Sequence, residues 1–261
     1  MKPPLVGVVL VAALVAAGCV SGGSQATPPS TKDPLQGSVT VSAASSLGSA
    51  LAPIRQGFVK LHPRASVSIN LGSSTALVTQ IQQGAPADVF VSADPTNMQT
   101  LVAAGKTAGT PAVIARNRLV IVTKPKNPRH IRSVAGLSSA GVVALCAATA
   151  PCGKYAARVL VNAHATLPET KITRQADAQS TVGAVANGDA DAAIVYATDA
   201  RAAGAAVATV EIPSAENVVA TYPIAALKES GVPAVARAFV AYVQSSAGQV
   251  VLRRFGFLPP A

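Results

Sequence analysis

The chain has 261 residues and carries 21 Lys and Arg against 11 Asp and Glu, a formal net charge of +10. Half of its residues are apolar, yet only 3% are aromatic and 12% charged, where a soluble domain usually has about 25% charged. Such a chain buries a large core of Ala and Val, which excludes intrinsic disorder, and it lacks the Glu and Lys density of a coiled coil.

Residues 1–19 read MKPPLVGVVLVAALVAAGC. One Lys, an apolar run and then small residues follow the plan of a secretory signal. The run of about fourteen apolar residues is short beside the roughly 20 that a spanning helix needs, which disfavours a transmembrane anchor. It ends in Ala16-Ala17-Gly18-Cys19, which resembles a bacterial lipobox, with Ala16 where Leu or Val is usual. That resemblance implies that Cys19 is diacylated and becomes the new N-terminus, so the protein is expected outside the cytoplasm, lipid-anchored to the cell membrane. Residues 20–37 are Ser, Gly, Pro and Thr with almost no large apolar group, a flexible tether. With Cys19 committed to lipid, two of the three cysteines remain, Cys146 and Cys152 in LCAATAPCG. A C-x5-C with no nearby His is a poor zinc site. A disulfide closing the short loop is the better reading and contributes about 2 kcal/mol in the loop-entropy treatment.

From residue 38 the pattern alternates between strand and helix, which predicts an α/β fold with mostly parallel sheets. Residues 38–43 (SVTVSA) alternate as a first strand. In the next segment Leu47, Leu51, Ile54, Phe58 and Leu61 share one helical face, with Ser45 or Ser46 as N-cap. ASVSIN is a second strand, followed by a short helix closed by Gly84. ADVFVSAD and TNMQTLVAAG form a third strand and helix. At 111–124 two apolar strands, PAVIA and RLVIVT, flank Arg116-Asn117. Further βα units run through VVALCA, GKYAARVLVNAHA, VGAVANGDA and AAIVYAT, with VATVEIP as another strand. From Tyr222 the text reads as helical, with Val235, Phe239 and Val243 on one face.

Enzyme motifs are missing. The three histidines, His62, His130 and His164, lie near no recognisable nucleophile motif, and the acids are scattered singly. Neither GxGxxG after a strand nor GxxxxGK[ST] occurs. What recurs is a strand end followed by small hydroxyl residues that open a helix, at Ser45-Ser46 and at Ser73-Ser74. A helix N-terminus exposes unpaired N–H groups and a partial positive charge. Two of them meeting would suit a small tetrahedral oxyanion, although each pair taken alone reads better as a plain N-cap.

Read together, Val41-Ser-Ala-Ala-Ser45-Ser46-Leu47, Gly72-Ser73-Ser74 and GAPADVFVSAD at 84–94 resemble the periplasmic molybdate-binding proteins of bacterial ABC importers. So do Arg116-Asn-Arg-Leu119, Pro151-Cys152-Gly153-Lys154-Tyr155, GDADAAIVY at 188–196, Tyr222-Pro223-Ile224 and Phe255-Gly256-Phe257. The resemblance spans 38–257 in order. It implies a type II periplasmic binding protein fold: two α/β lobes, 38–116 plus 222–261 and 117–221, joined by two crossover strands around a cleft. It also implies a molybdate or tungstate ligand, no cofactor, no metal beyond the molybdenum of the oxyanion, no catalysis and a membrane permease as partner. The ligand contacts it implies are the hydroxyls and backbone N–H groups of Ser46 and Ser74, the backbone N–H groups of Cys152 and Ala178, and the hydroxyl of Tyr196. Members often carry Ala at the position of Cys152 and Val at that of Ala178. Neutral donors would hold the dianion without a salt bridge, and a protonated oxyanion would set donor against donor.

Three other readings remain. One is a receptor for another oxyanion such as sulfate. The second is an extracytoplasmic hydrolase, for which the matched segments offer no general base. The third is a polyanion binder, which the +10 charge suggests but dispersed cations and few aromatics do not. The surface charge reads as solvated, the chain as a monomer without nucleic acid.

Overall fold

A computed structural model describes residues 35–260; the expectations for the signal, for Cys19 and for most of the tether lie outside the described residues. The order of elements is β1 (Gly37–Ala44), α1 (Gly48–Leu61), β2 (Ala65–Gly72), α2 (Ser74–Gln82), β3 (Val89–Val91), α3 (Pro95–Ala103), β4 (Ala112–Thr123), β5 (Val143–Cys146), α4 (Pro151–Asn162), β6 (Ile172–Gln175), α5 (Ala178–Ala186), β7 (Ala192–Tyr196), α6 (Ala197–Ala203), β8 (Ala208–Glu211), β9 (Val219–Ala226), α7 (Pro233–Gln244) and α8 (Ser246–Arg254). Among the described residues no helix is long and apolar enough to cross a membrane.

The strands follow the order β2-β1-β3-β9-β4-β7-β5-β6, with β8 also on β4. The sheet is mixed rather than mostly parallel. β1–β2, β1–β3, β5–β6 and β5–β7 are parallel; β3–β9, β4–β7, β4–β8 and β4–β9 are antiparallel. Apolar runs look alike in either sense, and only the route of the connections separates them.

The two strands expected at 111–124 are one. Arg116-Asn117 lies inside β4, whose residues up to Arg118 pair with β9 while Leu119–Thr123 pair with β7. β4 thus carries the chain from one half of the sheet to the other, and β9 brings it back. Asn217 clamps the return, its side chain accepting from Leu119 N–H (3.0 Å) and donating to the Leu119 carbonyl (2.8 Å). The helical reading from Tyr222 is also corrected, because Tyr222 lies within β9 and the helix starts only at Pro233. Pro223 obscured the strand. It pairs with Val113, where the β4–β9 register slips, and an irregularity of this kind admits a proline. β6 (ITRQ) carries no strand signal in the sequence, being short, polar and at most partly buried.

Leu51, Ile54 and Phe58 of α1 are buried, but Leu61 at the helix end is 60% exposed. Phe58 meets Phe239 of α7 edge-on at 5.3 Å, and Val235 and Val243 extend the same buried face. At the end of α2 Gly84, with φ +87°, follows the cap residue Gln83. Ala85 N–H returns to Gln80 O (2.9 Å) and Gly84 N–H to Ile81 O (3.1 Å), a Schellman closure.

Candidate functional site: an uncharged pocket at converging helix starts

The two serine pairs behave differently. Ala44, not a serine, occupies the cap position of the 3-10 turn Ser45–Leu47 that leads into α1, and no side chain caps it. The expectation of Ser45 or Ser46 as an N-cap is therefore wrong. Ser46 is buried, and its Oγ lies 2.8 Å from Tyr222 Oη. Ser73 does cap α2, its Oγ accepting from Ala76 N–H (3.3 Å). Ser74, the first helical residue, is buried and its Oγ accepts from Ala93 N–H (2.9 Å), so its own hydrogen remains to be donated.

α4 begins with Pro151 at its first position, where a missing N–H costs nothing. Cys152 follows and is bonded to Cys146 at the end of β5 with S–S 2.05 Å and Cα–Cα 5.7 Å. The loop between them folds closely over Gly153, where a Cβ would collide with the Ala147 carbonyl and lie 2.9 Å from Cys146 O. Glycine is thus required there. α5 opens with a capping box in which Asp177 accepts from Ser180 N–H and Ser180 Oγ accepts from Asp177 N–H. Ala178 stands at its first position. The N–H groups of Cys152 and Ala178 belong to first turns, which have no acceptor within their own helix.

Ser46, Ser74, Cys152, Ala178 and Tyr196 all line one pocket. No charged side chain lines it, so its positive character comes from the converging helix starts. Tyr196 ends β7, is 1% exposed, and its Oη has no hydrogen-bond partner among the described residues. Its ring is held edge-on between Tyr155 (6.4 Å) and Tyr222 (6.0 Å). Burial, followed by its tyrosine neighbours, Asp199 and Asp94, pushes the Tyr196 phenol well above its ordinary range. Burial and then Asp94, opposed by Arg158, push Tyr155 up to about 12. Both remain phenols at neutral pH. Thr75 Oγ1 of α2 donates to the Thr149 carbonyl in the β5–α4 loop at 2.9 Å, linking two walls of the pocket. Among the described residues no group of His, Cys, Asp and Glu is placed to hold a metal.

Behind the pocket lie residues that sequence reasoning did not assign to it. Tyr222 and Asn117 are fully buried, and Asp199 nearly so. Burial and then Asp177 push the Asp199 carboxyl up to about 8, and its Oδ2 has no hydrogen-bond partner among the described residues. Asn117 stands between Arg116 and Arg118, so its local sequence reads as a polar break and gave no signal of burial; nothing marked Asp199 either.

The family model of the bacterial extracellular solute-binding proteins matches residues 39–258. The molybdate-binding protein ModA of Mycobacterium tuberculosis is 39% identical over 254 residues, covering 96% of this chain and 97% of the relative. ModA of Haemophilus influenzae is 29% identical over 227 residues, 84% of this chain and 89% of the relative. Among solved structures, the periplasmic molybdate-binding protein of Azotobacter vinelandii superposes with a TM-score of 0.77 at 22% identity, over 85% of this chain and all of that one, 100%. The sulfate-binding protein SubI of Mycobacterium tuberculosis gives 0.75 at 20% identity, over 85% and 86%. These two likenesses establish the type II periplasmic binding protein fold.

Proposed function

The chain belongs to the bacterial extracellular solute-binding proteins, and from that premise we propose that it captures molybdate, and tungstate with it, outside the cytoplasm and delivers it to the permease of an ABC importer. The lobes of this reading are 38–116 plus 222–261 and 117–221, and the ligand lies between them. Its contacts are the hydroxyls and N–H groups of Ser46 and Ser74, the N–H groups of Cys152 and Ala178, and the Tyr196 hydroxyl. The protein binds without catalysis, needs no cofactor and acts as a monomer held at the membrane by lipid on Cys19.

The observation that carries the reading is the Tyr196 hydroxyl, buried and unpartnered in an uncharged pocket that four other candidate donors share. A buried hydroxyl without a partner costs about 1–3 kcal/mol, and a tetrahedral dianion in the pocket would satisfy it. The 39% identity to a relative named for molybdate favours that ion over other oxyanions. Native mass spectrometry of the purified protein, titrated with molybdate, tungstate, sulfate and phosphate, tests it. Tight 1:1 complexes with the first two are expected. Sulfate bound as tightly as molybdate would overturn the ligand while leaving the family.

A further inference from the structure

Asn117 has 0% exposure in the middle of β4, where a polar side chain persists only if its groups are satisfied. Its Oδ1 accepts from Arg118 N–H at 3.0 Å. A backbone N–H can only donate, so this bond sets which end of the amide is oxygen. The Nδ2 end therefore faces Thr198 Oγ1 (2.8 Å) and Tyr222 Oη (3.4 Å) and donates to both. Tyr222 is wholly buried, and burial, against the opposing bonds from Ser46 and Asn117, keeps its phenol protonated. With Asn117 donating to Tyr222 Oη, the phenol's own hydrogen has Ser46 Oγ as its acceptor, 2.8 Å away. Ser46 then accepts from Tyr222 and turns its own hydrogen to the pocket. At Ser74 the Ala93 N–H enforces the same polarity directly.

We propose that Asn117 and Tyr222 are positioning residues that fix Ser46 as an obligate donor, so that the pocket selects fully deprotonated tetrahedral oxyanions and rejects those that keep a proton. This rests on the oxyanion reading above and assigns its specificity to residues outside the pocket wall. A hydroxyl free to rotate accepts a hydrogen bond as readily as it donates one. Held by Tyr222, Ser46 can accept from a protonated ligand only by leaving its own buried hydrogen unpaired. Tyr222→Phe removes the hydrogen that holds Ser46, and Asn117→Leu removes the donor that orients Tyr222. The pocket wall stays the same in both variants.

The test compares molybdate with hydrogen arsenate, a tetrahedral dianion that keeps one proton at neutral pH. Molybdate affinity is measured by calorimetry at pH 7.5 and arsenate by competition, with circular dichroism confirming the fold. Phe257→Leu serves as the packing control, since Phe257 meets the Tyr222 ring edge-on at 5.3 Å and carries no group that could join the Asn117–Tyr222–Ser46 hydrogen bonds. We expect the molybdate-to-arsenate preference to fall roughly tenfold or more in Tyr222→Phe, less in Asn117→Leu, and to be unchanged in Phe257→Leu, where both affinities drop in step. Variants that keep the parent's preference, or that lose both ligands together as Phe257→Leu does, reduce Tyr222 and Asn117 to packing and overturn the proposal. A parent that binds no oxyanion at all overturns the underlying function as well, and it is recognised before any variant is made.

Discussion

At the scale of single residues, the proposed site would trade stability for binding. The Tyr196 hydroxyl is buried without a partner among the described residues, so Tyr196→Phe should raise the ligand-free melting temperature while weakening molybdate binding. Ser46→Ala and Ser74→Ala should weaken binding without that gain. Each deleted hydroxyl removes a bond to a charged oxygen, worth about 1.5–3 kcal/mol or roughly ten- to hundredfold in Kd. Calorimetry together with a melting scan checks both halves, and hydroxyl deletions that bind as the parent does would place the site elsewhere. Ala178→Val should matter little, because the proposed donor there is the backbone. Asp199 adds a pH dependence. Burial and then Asp177 raise its carboxyl to about 8, against about 3.9 in an unfolded chain. Between those values the folded protein holds a proton that the unfolded chain has lost. The stability this group contributes is therefore complete below about pH 4 and is lost as pH rises to about 8. Above that, an ionised carboxylate behind Tyr196 opposes a dianion. Asp199→Asn should flatten both trends between pH 5 and 9, and equal slopes in parent and variant would rule the group out. Ser46 was recognised by its matched motif, but its bond to Tyr222 spans 176 residues and has no local sequence signal.

At the scale of elements, the start of α4 is held from two sides. The disulfide ties Cys152 to the end of β5, and Gly153 lets the Ala147 carbonyl approach where no side chain would fit. The short spacing between the two cysteines made this pair legible, since local closure needs no knowledge of the fold. Replacing both with Ser should cost about 2 kcal/mol, roughly 4–8 °C in melting temperature. It should also loosen molybdate binding, because the N–H of residue 152 loses its fixed position. A double variant that melts lower but binds unchanged would make the disulfide purely structural. The strand misread at Tyr222 belongs to this scale as well. TYPIAA is apolar and short, and its pairing with both β3 and β4 depends on segments more than 100 residues away.

At the scale of the whole molecule, the binding apparatus is expected to hang from a lipid by a tether. Cys19→Ala should leave the protein unprocessed or released instead of membrane-held, as fractionation and N-terminal sequencing would report. Membrane attachment and processing that survive the change would refute the anchor. The net charge of +10 lies outside a pocket that carries no charged side chain. The cations can steer anions toward the protein, while the donors proposed to hold one are neutral. Release from that proposed site to a permease would require no buried ion pair to be broken.

The α/β class, the order of most elements and the disulfide are properties of local pattern and spacing, whereas the residues expected at the pocket came from the family resemblance of their segments. Helical periodicity, turn glycines and hydroxyl-rich helix openings act over a few residues, so they can be read without coordinates. The direction of the strands, the union of 112–123 into one strand and the course of β9 were decided by tertiary structure, because an apolar run pairs equally well in several ways until the connections choose. The polarity of the pocket was decided there too. Ser46 donates or accepts according to Tyr222 and Asn117, and Asp199 keeps its proton because the fold buries it. Both effects arise when distant residues are brought together out of water, and nothing within a few residues of either one encodes them.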